Sequence, residues 1–115
     1  MIDLKRRTKE FALNTIRMLQ LIPLSTTSSI LSRQLIRSAT SVGANYRSAL
    51  RAKSKADFIA KLAIAQEEAD ECCYWIDLII DLKIADPEKS HFLFKEANEL
   101  TAILSASSKT AKSNR

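Results

Sequence analysis

The chain has very little of what ends, bends or cross-links a polypeptide. Gly43 is its one glycine, and Pro23 and Pro87 are its prolines. An all-β fold needs both residue types for its hairpins and tight turns, so their scarcity excludes one. The cysteines, Cys72 and Cys73, are adjacent. Neighbours on a helix point about 100° apart and do not readily bridge. They read as two buried, reduced thiols that pack in a core, in keeping with a reducing compartment. No apolar run approaches the roughly 20 residues of a membrane span. The start, Met1-Ile-Asp-Leu-Lys-Arg-Arg, has no signal-type apolar stretch after its charges. The expectation is a cytoplasmic protein with no membrane partner.

Residues that carry chemistry are equally sparse. His91 is the one histidine. It has no evident partner for base catalysis, so a solvent-facing or structurally bonded imidazole is expected. One histidine and an adjacent cysteine pair lack the spacing of a zinc or redox site. A single glycine cannot build a phosphate loop. Glu67, Glu68 and Glu71 lie close together, but no histidine follows any of them by three residues, as helix-borne di-metal sites require. A metal-dependent hydrolase built on Glu68 and Glu71 is therefore a third-ranked reading. The sequence reads as a non-enzyme with no cofactor and no metal.

What is present is helix-forming: alanine, leucine, isoleucine, lysine and glutamate dominate. Asp3 caps a first predicted helix to about Ile22, where Pro23 stops it. Leu4, Phe11, Thr15, Met18, Leu19 and Ile22 share its apolar side. The second runs from about Ser28 to Ala52 on a seam of Leu31, Leu35, Ala39, Val42, Tyr46 and Ala49. Gly43 lies inside it at a cost of about 1 kcal/mol relative to alanine, which points to close approach of a neighbouring helix. Ser54 caps a third, Lys55 to Lys83, with Phe58, Leu62, Ala65, Ala69, Cys72, Ile76, Ile79 and Ile80 on one stripe. Asp86 caps a fourth with Pro87 at its first position, and Leu93, Ala97, Leu100 and Leu104 form its seam. The polar, basic residues 106–115 read as a frayed tail beyond a domain of residues 1–105. Four amphipathic helices with short connections predict an all-α fold, an antiparallel up-down four-helix bundle.

The third helix carries a second apolar group, Ile64, Trp75, Leu78 and Leu82, about 100° or more round the cylinder. A monomer core uses one stripe, so this group predicts a subunit interface. Charge is also segregated. The net charge is +5, and no acidic residue occurs between Phe11 and Ala56. Arg33, Arg37, Arg47 and Arg51 fall within an arc of about 80° opposite the apolar seam. With Lys53 and Lys55 they form a candidate nucleic-acid ridge, since fixed cations release counterions condensed on phosphates. The plainer reading is ion pairing with the acidic third helix, or a solvated face. Aromatic residues that would stack unpaired bases are absent from the ridge, so duplex phosphates, of RNA or DNA, are the expected target.

Residues 34–49, QLIRSATSVGANYRSA, and 54–75, SKADFIAKLAIAQEEADECCYW, resemble a known family. They are similar to the four-helix bundle proteins named after an open reading frame in intervening sequences of 23S ribosomal RNA genes. Pro23, Gln34, Arg37, Ser41, Asn45, Ser54, Phe58, Leu62, Ala65, Glu68 and Glu71 match its pattern. The resemblance implies an antiparallel bundle assembled as a homo-oligomeric ring of five subunits. A related branch, the basic accessory proteins of diversity-generating retroelements, implies nucleic acid and a reverse transcriptase as partners. Many members carry Ala-Glu-Gly after the asparagine, where Tyr46-Arg47-Ser48-Ala49 stands here and makes the stretch more basic.

Overall fold

The computed structural model describes residues 3–114. Four helices follow one another: α1 (Leu4–Leu19), α2 (Thr26–Leu50), α3 (Lys55–Leu82) and α4 (Pro87–Ser113). Each packs against its sequence neighbours, and α1 packs on α4, which closes an up-down bundle. The rod measures 48 × 21 × 20 Å.

Local chemistry sets the boundaries. The Asp3 carboxylate accepts from Arg6 N–H at 3.1 Å. With Ser25 as its cap, α2 starts at Thr26, two residues ahead of the predicted start, because Ser25 and Ser28 form a reciprocal capping box. The Ser28 hydroxyl also donates to the Pro23 carbonyl at 2.9 Å and so ties the α1–α2 connection. Ser54 accepts from Asp57 N–H, and Asp86 from Lys89 N–H with Pro87 behind it. Lys83 ends α3 in the left-handed conformation, φ 57°, the only positive φ among the described residues. At the far end, α1 stops at Leu19, and Leu21 and Ile22 bond three residues back in a closing turn.

Helix α4 runs to Ser113, eight residues past the boundary at Ser105. Ser108 is buried among these last turns, and Lys55 of α3 donates to the carbonyl of Asn114. The frayed tail is thus replaced by two further turns docked on the start of α3. Polarity alone suggested disorder there, but Ala, Ser and Lys are tolerated in a helix that has a neighbour to lie on.

The core holds Leu4, Phe11 and Met18 of α1, Leu35, Ala39 and Val42 of α2, Leu62, Ala65, Ile76 and Ile79 of α3, and Leu93, Leu100 and Leu104 of α4. Each fully buried Leu, Ile or Phe contributes about 1.5–3 kcal/mol. Thr8 and Thr15 are also fully buried, and their hydroxyls donate to the carbonyls of Leu4 and Phe11 at 2.7 and 2.8 Å. Gly43 faces Thr8 across the α1–α2 contact, where a Cβ would lie 3.1 Å from Thr8 Oγ1. Cys72 is buried, whereas Cys73 is only half-buried, its thiol against the Ala69 carbonyl and Thr101. Cys73 therefore sits at the edge of the core, a correction to the expectation of two buried thiols. Burial raises both thiol pKa values, Cys72 the more strongly.

Candidate nucleic-acid and assembly surfaces

The six cations of the ridge fall into different environments. Arg37 turns onto α3, where its guanidinium meets Glu68 at 3.2 Å and Glu71 at 2.9 Å. Glu68 is nearly buried, and its pKa is raised, first by desolvation and then by hydrogen bonding to Glu71; the Arg37 charge pulls the other way. The basic helix and the acidic helix thus pair within one chain at this point. Arg37 thus meets two carboxylates and remains 54% exposed. The Glu68–Glu71 pair in turn holds a guanidinium. Among the described residues no group of three His, Cys, Asp or Glu is placed to hold a metal.

Arg33 and Arg51 are exposed at opposite ends of α2, about 27 Å apart at 1.5 Å per residue. Arg47 is half-buried beside α1. Lys53 and Lys55 are exposed in and just after the α2–α3 connection. Antiparallel packing brings other cations to this end of the rod: exposed Lys5, Arg6 and Lys9 of α1, and Lys109 and Lys112 of α4. The carboxylates here are Asp3, Glu10 and Asp57. Glu10 is paired with Arg6 and Asp57 with Lys61, each at 3.2 Å. Lys61 lowers the Asp57 pKa by that hydrogen bond. These cations share one end of the rod with Arg51, Lys53 and Lys55. Helical periodicity found the α2 cations and the C-terminal lysines read as their helpers, but only topology could add Lys5 and Lys9.

A second intrachain clamp joins α1 to α4. Arg7 forks onto Glu96 with two bonds of 2.8 Å and reaches Glu99 at 3.4 Å. The Glu96 hydrogen bond raises its pKa. His91 is exposed, its Nδ1 2.7 Å from the Pro87 carbonyl, so the imidazole is both solvent-facing and structurally bonded.

The second apolar group lies on one flank of α3. Ile64 and Leu82 are 41% and 52% exposed, while Trp75 and Leu78 are half-buried. The Tyr74 and Trp75 rings meet edge to face, centroids 5.2 Å apart. Trp75 Nε1 is buried and has no hydrogen-bond partner, although a buried indole N–H normally finds one. On the outermost face of α3, Glu67, Asp70, Asp77 and Asp81 are exposed and make no ion pair among the described residues.

Four up-down helices, a salt-bridged α2–α3 seam and a cationic end define an all-α bundle with no membrane-spanning helix among the described residues. The model of the 23S rRNA-intervening sequence protein family matches residues 2–106, and the chain belongs to that family. A crystal structure from Bacteroides thetaiotaomicron, described as a protein of unknown function from the S23 ribosomal protein family, superposes with a TM-score of 0.84 at 34% identity. The match covers 91% of this chain and 97% of that one. No curated protein matches. Neither the family description nor the neighbour names a catalytic activity.

Proposed function

We propose that this chain is a non-catalytic, homo-oligomeric module, a ring of five copies, that holds RNA or DNA through the basic end of its bundle. The observation that carries this is the convergence of Lys5, Lys9, Arg47, Arg51, Lys53, Lys55, Lys109 and Lys112, with the nearby carboxylates Glu10 and Asp57 already paired. Cations fixed on a rigid helical frame lose little freedom on meeting a phosphate backbone, and each displaces condensed counterions. The flank of Ile64, Trp75, Leu78 and Leu82 supports self-association: it exposes apolar area at Ile64 and Leu82. Filter binding of labelled duplex RNA and DNA across a salt series tests the reading. Retention should fall steeply with salt and collapse when Arg51, Lys53 and Lys55 are replaced by glutamate; no retention at low salt refutes it.

One observation favours a second reading, a protein scaffold whose arginines serve subunit contacts. The unpaired acidic face of α3 is a complement for Arg33 and Arg51 of a neighbouring copy. Light scattering separates the two. If Arg33→Glu with Arg51→Glu lowers the assembly's mass, the arginines act between subunits; if mass holds and polyanion binding drops, they act on nucleic acid.

A further inference from the structure

Among the described residues two arginines are half-buried, Arg7 and Arg47. Arg7 is matched by two carboxylates, Glu96 and Glu99. Arg47 has no carboxylate and no side-chain hydrogen bond to any described residue. A guanidinium drawn out of water usually gains a planar acceptor in exchange. Arg47, half-buried as a residue, keeps its guanidinium donors unpaired and open to solvent.

Its surroundings indicate what is missing. Where Gly43 lets α1 close on α2, the outer side of the crossing forms a groove of about 240 Å³. Ala12, Gly43 and Ala44 are among its lining residues and contribute no side-chain polar atom, and the Thr40 hydroxyl donates along its own helix to the Ile36 carbonyl. Lys9 and Arg47 are its charged lining residues. The space equals several waters at about 30 Å³ each, enough for a phosphate group and part of its hydration. Two cations line one groove without a carboxylate, so an anion is the ligand of complementary charge. Arg51 lies one turn from Arg47 along α2, so a strand seated in the groove continues onto the basic end.

We propose that the α1–α2 groove is a phosphodiester seat in which Arg47 takes the phosphate oxygens as a fork and Lys9 supplies a second charge from α1. This deepens, and rests on, the nucleic-acid reading above. The close α1–α2 crossing then has a second use: it brings a cation of each helix to one groove.

The test is TROSY titration of the assembled protein with inorganic phosphate, duplex RNA and duplex DNA, alongside affinities for Arg47→Gln and Arg47→Lys. The Gly43 and Ala44 amides and the Arg47 Nε–H should shift with duplex, and the two duplexes show which backbone fits. Arg47→Gln should weaken duplex binding about tenfold and reduce the salt slope by about one. Arg47→Lys should fall between, because it keeps charge and loses the fork. If duplex binds while the groove signals stay silent and Arg47→Gln binds like the parent, the seat is wrong and the basic-end reading stands. If duplex is not retained but inorganic phosphate still shifts the groove, the seat holds as an anion site and the nucleic-acid reading falls. Silence to all three ligands overturns both.

Discussion

Gly43→Ala should destabilise the bundle, although alanine is the better helix former. Gly43 lies well inside α2, so helix propensity alone predicts a gain of about 1 kcal/mol. The new Cβ, however, would stand 3.1 Å from Thr8 Oγ1 and 3.4 Å from Thr8 Cβ. Thr8 is fully buried, and its hydroxyl is anchored on the Leu4 carbonyl at 2.7 Å, so rotating it away would give up that bond inside a packed site. Relief requires α1 to lift by a few tenths of an ångström, and overpacking of this kind costs about 1–3 kcal/mol. The clash wins by about 1 kcal/mol, or about 4 °C in Tm for a chain of this size. Thr8→Ala removes the nearer atom and leaves the 3.4 Å contact, which is ordinary packing. In that background Gly43→Ala should stabilise, and the coupling in the double-mutant cycle should reach about 2 kcal/mol. Urea unfolding of the four variants at one protein concentration measures it, since association shifts apparent stability. A Gly43→Ala gain of equal size in both backgrounds would refute close helix approach as the reason for the glycine.

Arg37→Gln should cost about 1–2 kcal/mol in urea unfolding, between an exposed pair and a buried one, because it strands the 11%-exposed Glu68 while Arg37 itself is 54% exposed. Glu68→Gln should cost less, since Arg37 keeps Glu71 and water; equal costs would contradict the asymmetry. The Glu68 pKa is raised, chiefly by desolvation. The folded state therefore binds this proton more tightly than the unfolded chain does. Its contribution to stability is fully present below the unfolded carboxylate pKa and is lost as pH rises through the higher folded value. Carbon-detected titration of Glu68 should show a midpoint above the ordinary range, moving further up in Arg37→Gln, and a midpoint below that range would reverse the argument. Thiol labelling of the native protein should modify Cys73 before Cys72, because Cys72 is fully buried and its thiolate is the more disfavoured. Simultaneous labelling would place both thiols in one environment. Trp75→Ala should lower the light-scattering mass of the assembly while Trp75→Phe largely preserves it; an unchanged mass for Trp75→Ala removes that flank from the interface.

Much of the fold was legible before any coordinates. Asp3, Ser54 and Asp86 cap the helices predicted from them, and every residue of the α4 seam is buried. These features are local: a cap reaches three residues, and a seam repeats every three or four. Errors arose where the decisive partner lay elsewhere in the chain. The last turns of α4 read as a tail because Lys55, which donates to the Asn114 carbonyl, is 59 residues away along the chain. Thr8 was left off the α1 seam although its hydroxyl, like that of Thr15 on the seam, is satisfied by its own helix.

The candidate site divides in the same way. Periodicity put Arg33, Arg37, Arg47 and Arg51 on one arc, but three different neighbours gave them different roles. Arg37 reaches the carboxylates of α3, Arg47 is drawn into the crossing with α1, and Arg33 and Arg51 stay in water. By itself the sequence determined that there are four helices, where they start and which face of each is apolar, because backbone capping and hydrophobic period are properties of neighbouring residues. Only the tertiary structure decided which charges are spent on one another and which remain for a partner, because a Coulomb contact depends on distance in space, and helix packing sets that distance.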